Sequence, residues 1–323
     1  MRRFGWLVLA GAAIACGSGS GGGSSGPAMI DGVQVMAGFD PGVPAPAPSD
    51  GFQVILPIIS NIQPGASDEW CTWTSFTMPE ATRVNAGYGY QTESGHHVIL
   101  YYTMEPKPAG TNRICTDTDM ATIRYSMIGG TQGGIKDQLP GNLAVTIPKG
   151  AQIVVNHHYV NATANVMPQA QSAMTVYYDK NASYTPAGSF VVLNTSMSVP
   201  SGSHSIDIVG TMEHDFNAWT FLPHAHQYAT HVTIDHVSGG KTDRLFDTDW
   251  NAAYMFHPPI TTYDPSKAYA FHKGDQVHVH CDYDNTTSGN LTFGPEMCLF
   301  YAATVDPNLY GNLATDDGVW GPY

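Results

Sequence analysis

Apolar and polar residues alternate over short stretches along most of this 323-residue chain, with Gly, Pro, Asn or Asp between one stretch and the next. A period of two is typical of strands that bury one face, and convincing amphipathic helices are absent. The predicted strands are residues 52–59, 97–104, 142–147, 151–161, 173–179, 190–194, 205–211, 218–226, 229–236, 276–283 and 297–305. Many short strands joined by turns predict an all-β protein built as sandwiches or barrels.

A change of composition divides the strand-forming part of the chain in two. Residues 180–188 (KNASYTPAG) are typical of a linker, and a boundary near 184 leaves units of ordinary domain size at 51–183 and 184–305. No internal sequence repeat is visible, although each half holds strands, two cysteines and clustered histidines. We therefore predict two consecutive β-sandwich domains, followed by a loose tail at 306–323.

The first 50 residues lack the strand pattern of the rest of the chain and have the composition of a signal segment and a tether. Two arginines, an apolar stretch and Ala13-Ile14-Ala15-Cys16 form the pattern of a bacterial lipoprotein signal at residues 1–16, with Cys16 as the lipidation site. Residues 17–50 are rich in Gly, Ser and Pro and are predicted to be a tether. An ordinary signal peptide that removes Cys16, or an uncleaved anchor, is the alternative. A lipid anchor implies the membrane of the bacterial cell envelope, and Gly17 in place of Asp favours the outer membrane or cell surface.

The charge balance limits the partners of the protein. The chain has 13 Lys and Arg against 27 Asp and Glu, a formal net charge of −14. Because nucleic-acid binding needs a basic surface, we exclude a nucleic-acid partner and expect a small-molecule substrate. No stretch reaches the roughly 18 consecutive apolar residues of a membrane-spanning helix. We expect a monomer.

Four cysteines remain after Cys16, two in each half: Cys71, Cys115, Cys281 and Cys298. An oxidising compartment favours disulfides, and four cysteines allow three pairings. We favour the pairing within each half, Cys71–Cys115 and Cys281–Cys298. A zinc site of four thiolates is the alternative, and the absence of a closely spaced Cys pair argues against it.

Histidines are the candidate metal ligands of the first half. Its only four histidines form two adjacent pairs, His96-His97 and His157-His158. Neighbours on a regular strand point to opposite faces, so both members of a pair reach one metal only where the strand is irregular. The segment Glu93-Ser94-Gly95 predicts such an irregularity before His96, whereas the regular run around 157 predicts that one histidine faces a metal. Paired histidines on a solvent-exposed sheet surface are the alternative.

The second half contains a same-face pair, His224 and His226, and a candidate thioether ligand, Met297. Residues i and i+2 of a strand project from one face and can hold one metal ion. A thioether favours a soft metal, above all Cu(I), although a methionine is more often a core residue. His278 and His280 have the same spacing and are a rival pair, but the apolar residues that alternate with them predict that they face solvent.

Taken together, these motifs resemble those of the copper type II, ascorbate-dependent monooxygenases, the family of peptidylglycine α-hydroxylating monooxygenase and dopamine β-monooxygenase. The resemblance covers about residues 50 to 305 and is carried by His96-His97-Val98-Ile99-Leu100, Val155-Asn156-His157-His158-Tyr159-Val160-Asn161, Pro223-His224-Ala225-His226 and Glu296-Met297-Cys298-Leu299-Phe300-Tyr301. Six ligand positions in the right order make the resemblance specific.

The resemblance implies two jelly-roll β-sandwich domains with a copper ion on each facing side of a solvent-filled cleft. The implied ligands of the electron-transfer copper are His96, His97 and His158, with His157 a bystander. The implied ligands of the copper that binds O₂ are His224, His226 and Met297. Cys281 is the implied disulfide partner of Cys298.

The resemblance also implies hydroxylation of a C–H bond with O₂ and electrons from ascorbate or a similar small reductant. Met297 and Tyr301 are the implied catalytic residues, and a packed core residue is the alternative for Tyr301. Leu222 stands where the peptidylglycine enzyme has an Arg that pairs with the substrate carboxylate, and Leu299 replaces a polar residue. We therefore expect a small neutral or apolar substrate. The alternative function is a non-catalytic copper-binding surface lipoprotein for copper capture or tolerance.

Overall fold

The computed structural model describes residues 29–30, 32–255, 258–305 and 310–312, so the predicted signal peptide, Cys16 and residues 17–28 of the tether lie outside the described residues. Almost all regular structure in the described part is β-strand, with one short α-helix and two 3₁₀ turns. None of the described helices is long and apolar enough to cross a membrane. The predicted all-β class is confirmed.

The first domain contains the elements before residue 188. Among its described residues the one helix is α1 (Asp117–Thr122), which begins at a capping box formed by Thr116 and Asp119. Its strands are β1 (Met29–Ile30), β2 (Val33–Gln34), β3 (Gly51–Ile55), β4 (Ile59–Ile62), β5 (Ser67–Thr77), β6 (Thr82–Gln91), β7 (Gly95–Thr103), β8 (Thr111–Ile114), β9 (Arg124–Gln132), β10 (Ile135–Gln138), β11 (Leu143–Ile147), β12 (Gln152–Val160), β13 (Met167–Ala170), β14 (Ser172–Tyr178) and β15 (Thr185–Pro186).

The second domain begins at Gly188 and includes 3₁₀ turns at Ala252–Met255 and Pro265–Lys267. Its strands are β16 (Gly188–Leu193), β17 (Ser198–Val199), β18 (Gly202–Thr211), β19 (Phe216–Ala225), β20 (Ala229–Ser238), β21 (Lys241–Asp249), β22 (Thr261–Thr262), β23 (Tyr269–Phe271), β24 (Gln276–Asn285), β25 (Leu291–Thr292), β26 (Cys298–Thr304) and β27 (Tyr310–Asn312).

Each domain has the strand order of a jelly roll. In the first domain one layer is β3-β14-β6-β11 and the other is β5-β12-β7-β9. In the second domain the layers are β16-β26-β19-β23 and β18-β24-β20-β21. When these eight strands are counted in chain order, both domains read 1-8-3-6 in one layer and 2-7-4-5 in the other, which is the jelly-roll order. The predicted pair of jelly-roll β-sandwich domains is confirmed.

Alternation along the strands places apolar side chains between the layers. In β24, for example, Val277, Val279, Cys281 and Tyr283 are buried, and the residues between them face outward. Burial of a large apolar side chain contributes about 1.5–3 kcal/mol. The apolar positions therefore fix which face of each strand points inward, and hence which histidines face outward.

Both predicted disulfides are present. Cys71–Cys115 joins residues 44 apart in the first domain, and Cys281–Cys298 joins residues 17 apart in the second. The second bridge connects β24 to β26, one strand from each layer, and so anchors the strand that follows Met297. Because all four thiols are in disulfides, a zinc site of four thiolates is excluded.

The two domains are in apolar contact. Strand β15 pairs with β11 in parallel, and Ala187 is buried in the core of the first domain, so the linker belongs to that domain up to residue 187. From the second domain, Trp219, Tyr301 and Ala303 pack against the same core.

Residues outside the predicted domains also join the fold. The Gln171 side chain donates a hydrogen bond to the carbonyl of Gln34, and the ring of Phe39 lies 5.5 Å from that of Tyr90, so this part of the predicted tether lies against the first domain. Within the predicted tail, Tyr310–Asn312 forms a strand parallel to β16.

Candidate metal centre

A β-bulge brings His96 and His97 to the same side of the first domain. Strands β7 and β12 pair in register up to His97, and the register then shifts so that the next residue of β12, Tyr159, is opposite Gly95 and His96 is the extra residue of a bulge. Ser94, just before the bulge, has a left-handed φ of 63°. A bulge turns one side chain out of the normal alternation. The irregularity predicted before His96 is therefore present.

His158 joins this pair from the neighbouring strand. It lies directly opposite His97 on the outer face of the layer, whereas His157 points between the layers. The centroid of the His158 ring is 4.7 Å from that of His96 and 5.1 Å from that of His97. One ring nitrogen from each of the three lies within 4.8 Å of the others, which is close enough for one metal ion. The structure thus brings together the three ligands proposed for the first copper.

The hydrogen bonds of these rings leave one nitrogen of each facing the cluster. All three Nε2 atoms lie 2.8–3.0 Å from an oxygen atom, contributed in turn by Met255, Asn156 and Ser67. The carbonyl of Met255 and the amide oxygen of Asn156 are acceptors, so they hold the proton on Nε2 of His96 and His97 and leave the lone pair on Nδ1, as in metal-bound imidazoles. The Ser67 hydroxyl beside His158 can donate or accept. The Nδ1 atoms of His96 and His97 are 2.9 Å apart. Nδ1 of His158 is buried and has no hydrogen-bond partner among the described residues.

The second domain contributes His224 and His226 from the end of β19. His224 projects from the outer face of the strand, and His226 follows the last residue of the strand, with its ring centroid 5.1 Å from that of His224. Nδ1 of His226 lies 3.1 Å from the carbonyl oxygen of Pro295, so the proton resides on Nδ1. Nε2 of His226 is then the atom with a free lone pair, and it is buried with no hydrogen-bond partner in the described part of the chain.

Glu296 links the segment that contains His226 to the segment that contains Met297 through hydrogen bonds. Its buried carboxylate accepts hydrogen bonds from the backbone N–H groups of His226, Tyr228 and Met297. Burial raises the pKa of Glu296 to about 7, and the three backbone donors oppose this shift. Met297 is 7% exposed yet belongs to none of the four hydrophobic clusters formed by the described residues. The backbone of Met297 therefore lies close to that of His226, and its role as a ligand stays a prediction.

The ligand sets of the two domains form one cluster of five imidazole rings. The His96 ring centroid lies 6.2 Å from that of His224 and 5.8 Å from that of His226, and the His158 centroid lies 6.0 Å from that of His226. His158 and His226 are 0% and 1% exposed. The solvent-filled space that the family resemblance implies between the two coppers is therefore closed at these residues.

Burial keeps these imidazoles uncharged. Burial, followed by repulsion from a neighbouring imidazole, lowers the pKa of His96 to about 3 and that of His226 to about 4. Burial also lowers the pKa of His97 to about 4, and it takes those of His158 and His224 well below the usual value. Neutral imidazole is the form that binds metals, so the cluster is ready to bind a metal at neutral pH.

The donor set fits copper. Two ring nitrogens, Nδ1 of His158 and Nε2 of His226, are buried without a hydrogen-bond partner among the described residues, and a bound metal ion would satisfy both. Imidazole suits zinc, iron and nickel as well as copper, and only a thioether ligand such as the one predicted at Met297 would favour copper among them.

The other histidines singled out from the sequence lie outside the cluster. Nε2 of His157 is 3.1 Å from the hydroxyl of Thr72, and its Nδ1 is 3.2 Å from that of Ser172, so His157 is a hydrogen-bonded core residue. His278 and His280 project outward from β24, on the face away from the core of the second domain.

The proposed substrate-contacting residues line the outer face of the second domain beside His224. Leu299 lies opposite His224 across β19 and β26, and Tyr301 lies opposite Leu222. Residues in register share a face of the layer, so Leu222, Leu299 and Tyr301 lie on the same face as His224. Tyr301 also packs against the core of the first domain, which favours the packing interpretation. Its catalytic role stays a prediction.

Sequence reasoning gave no role to three polar residues at the cluster, Glu69, Asn156 and Glu296. Asn156 had a visible signal, because it is a polar residue in a strand whose other residues are mostly apolar or histidine. Glu69 had a weaker signal: it precedes Cys71 by two positions and so shares a strand face with it.

No model of a known family matches the chain, and no curated protein matches it. Among solved structures, the chain is similar to the crystal structure of the major capsid protein P2 from bacteriophage PM2, with a TM-score of 0.32 and 9% identity over 80% of this chain and 99% of that chain. It is also similar to a triple jelly-roll protein of an archaeal virus, with a TM-score of 0.22 and 8% identity over 79% of this chain and 60% of that chain. Likenesses this weak carry no functional argument, and the fold assignment rests on the strand order.

Proposed function

We propose that this protein is a copper-dependent monooxygenase that hydroxylates a C–H bond of a small neutral or apolar substrate, using O₂ and a reductant such as ascorbate. The observation that carries the proposal is the convergence of five uncharged imidazoles from two domains. Copper bound there would supply one-electron redox chemistry and activation of O₂. The predicted lipid anchor at Cys16 would place this activity at the bacterial cell envelope.

The two halves of the cluster offer different donors. The first domain contributes the three ring nitrogens of His96, His97 and His158. The second contributes two ring nitrogens and the thioether of Met297, a weak soft donor that favours Cu(I). This difference in donors supports two copper sites with different roles rather than two copies of one site.

The protein's own residues hold the second half in place and select the substrate. Glu296 fixes the backbone of His226 and Met297 through direct hydrogen bonds. Leu222 and Leu299 offer apolar surface next to His224 and no partner for a substrate carboxylate. A substrate lying against them is therefore expected to be uncharged at that end, because an unpaired carboxylate there would lose its hydration without compensation.

The burial of the cluster favours a second candidate function, copper capture without catalysis. His158 and His226 are almost fully buried between two domains that are in contact, and this arrangement suits a metal ion that is bound and retained.

One experiment separates these candidates. The full-length protein is loaded with copper and supplied with ascorbate, O₂ uptake is followed, and a panel of neutral C–H substrates is screened by mass spectrometry for a gain of one oxygen. The monooxygenase proposal expects two coppers per chain and a product that requires both copper and reductant. Bound copper with no product across the panel would favour capture, and no bound copper would refute both functions.

Two variants of Met297 test the thioether. Met297→Ile removes the sulfur at similar volume, so stability should change by less than about 1.5 kcal/mol, while product formation should be abolished. Met297→His should keep copper bound and also abolish the product, because a strong nitrogen donor shifts the balance toward Cu(II). The matched control is Met104→Ile, since Met104 is an exposed methionine of the first domain and should be neutral in every assay. An active Met297→Ile protein would remove Met297 from the site.

A further inference from the structure

A short segment of the second domain contacts a candidate ligand at each of its ends. Residues 250–255, here called the bridging segment, follow β21 and include a 3₁₀ turn. At one end the indole Nε1 of Trp250 donates a hydrogen bond of 3.0 Å to the backbone carbonyl of His226. At the other end the carbonyl oxygen of Met255 lies 2.9 Å from Nε2 of His96, a residue of the first domain.

The bridging segment is anchored in the core of the second domain. Trp250 and Met255 are 6% and 7% exposed, and the Trp250 ring packs in the core with its centroid 5.4 Å from that of Tyr254. The backbone N–H of Trp250 donates to the carbonyl of Thr230, and that of Tyr254 donates to the carbonyl of Asn251. The Met255 carbonyl is therefore presented by a packed, hydrogen-bonded turn, and a buried carbonyl of this kind requires a donor.

We propose that the bridging segment is a positioning element through which the second domain completes the metal site of the first, because its Met255 carbonyl holds the His96 ring in the form that binds a metal. The proposal rests on the proposed function only in that the first-domain imidazoles must bind the metal. A carbonyl oxygen can only accept, so His96 carries its proton on Nε2 and its lone pair on Nδ1. Nδ1 of His96 lies 2.9 Å from Nδ1 of His97, on the side of the cluster.

This contact makes metal binding by one domain depend on the other. The remaining imidazoles of the site, His97 and His158, have Nε2 partners from the first domain itself. His96 differs because its partner belongs to the second domain. The site is therefore fully assembled only while the two domains are in contact. Through Trp250 the same segment holds the backbone at His226, so it positions one candidate ligand in each domain.

The first test reads the tautomer of His96 in the metal-free, full-length protein. The histidines are labelled with ¹⁵N, the proton position on each ring is read from long-range ¹H–¹⁵N NMR spectra, and the His96 signal is assigned from its absence in His96→Gln. In the test variant glycine replaces residues 252–254, which keeps the length of the segment and removes the side chains of its turn. In the matched control glycine replaces Pro265–Lys267, the other 3₁₀ turn of the described second domain, whose capping hydrogen bonds involve only Asp264.

His96 should carry its proton on Nε2 in the wild type and in the control, and should show a mixture of both tautomers in the glycine variant. The Cu(II) affinity of the first site, measured by competition with a chelator, should fall at least about tenfold in the glycine variant and stay within about twofold in the control, because the hydrogen-bond partners of metal-binding histidines typically contribute 10–100-fold. A proton on Nδ1 of His96 in the wild type would overturn the proposal, as would a glycine variant with the wild-type tautomer and affinity.

The same experiment separates the proposal from the proposed function. A His96→Ala/His97→Ala protein identifies the copper bound at the first site. A wild type with the expected tautomer that binds no copper there would refute the metal site and the proposed function, while the tautomer result still decides the role of the bridging segment.

A single substitution decides the case if the glycine variant does not fold. Trp250→Phe keeps an aromatic ring in the core and removes the donor to the His226 carbonyl. Its matched control is Trp219→Phe, since Nε1 of Trp219 is buried and has no hydrogen-bond partner among the described residues. Trp250→Phe should lower the Cu(I) affinity of the second site about fivefold, the equivalent of one ordinary hydrogen bond, and Trp219→Phe should match the wild type. Equal Cu(I) affinity in the two variants would overturn the proposal.

Discussion

The two domains share one strand order but present different layers to the cluster of imidazoles that forms the candidate metal centre. In the first domain the ligands lie on the outer face of the 2-7-4-5 layer, on β7 and β12. In the second domain they come from β19, which belongs to the 1-8-3-6 layer. The comparison shows that the fold alone does not define the site. What defines it is which outer face of each sandwich lies against the other domain.

The seventh of the eight jelly-roll strands is β12 in the first domain and β24 in the second. These two strands can be aligned residue by residue because both end in the same turn. Oδ1 of Asn161 accepts hydrogen bonds from the backbone and hydroxyl of Thr163, and Oδ1 of Asn285 accepts the same two from Thr287. Alignment on this turn places Asp282 at the position of His158. The same alignment places His280 at the position of Asn156.

These equivalent positions meet different surroundings. In the first domain the outer face of the seventh strand is covered, and His158 is fully buried among other imidazoles. In the second domain the corresponding face is open to solvent, and His280 lies between Asp207 and Asp282. Equivalent positions of the seventh strand thus hold a candidate metal ligand in the first domain and a surface hydrogen-bond network in the second.

The largest expected effect is the difference in metal binding between His158→Ala and His280→Ala. Removal of His158 deletes one of three converging nitrogens, so the first site should lose its copper. Removal of His280 deletes an outward-facing imidazole and should leave both coppers in place. Metal analysis after dialysis measures this directly. Loss of a copper from His280→Ala, or retention of both by His158→Ala, would show that the ligands have been assigned to the wrong seventh strand.

Most of the fold was predictable from the sequence because alternation is a local property. The apolar positions of β24 determine that Cys281 points inward and His280 outward, and the structure has both orientations. The local irregularity before His96 was also predictable, since residues 93–95 are poor strand formers. The strand pairings themselves follow from contacts between residues distant in the chain, which alternation cannot reveal.

The candidate ligands could be named from the sequence, but the way in which they come together could not. The motifs around His96, His158 and His226 indicated a metal ligand set. The approach of the two sets to about 6 Å depends on apolar contacts between domains, such as those of Tyr301, which carry no motif. Glu69 was missed because its proximity to His158 arises from the register of β5 against β12, which is a tertiary property.

The two disulfides should differ in both strength and consequence. In the chain-entropy description a bridge contributes about 2–4 kcal/mol, and the wider spacing of Cys71–Cys115 makes its contribution larger by roughly 1 kcal/mol. Cys281–Cys298 anchors the residue next to Met297, so its loss should also lower Cu(I) affinity. Urea unfolding and Cu(I) titration of the two Cys→Ala double variants test both statements. Equal Cu(I) affinity in the two double variants would argue against a role for the second bridge in positioning the thioether.

The smallest effect concerns pH, where His158 and His280 should have opposite signs. Burial lowers the pKa of His158, so in the metal-free protein its contribution to stability is present above the unfolded value of about 6.5 and is lost as the pH falls below it.

His280 has a raised pKa. Burial opposes its charged form, but the hydrogen bond and the charge of Asp207, together with Asp282, outweigh the effect of burial. Its contribution is therefore present below about 6.5 and is lost as the pH rises through the raised value. Because the side chain of His280 is 36% exposed, solvent screening limits its contribution to stability to less than about 1 kcal/mol.

The unfolding free energies of the metal-free wild type and of His280→Ala should thus differ at pH 5.5 and converge at pH 8.5. A difference that is the same at both pH values would mean that Asp207 and Asp282 do not stabilise the imidazolium, and the contrast between the two seventh strands would then be one of burial alone.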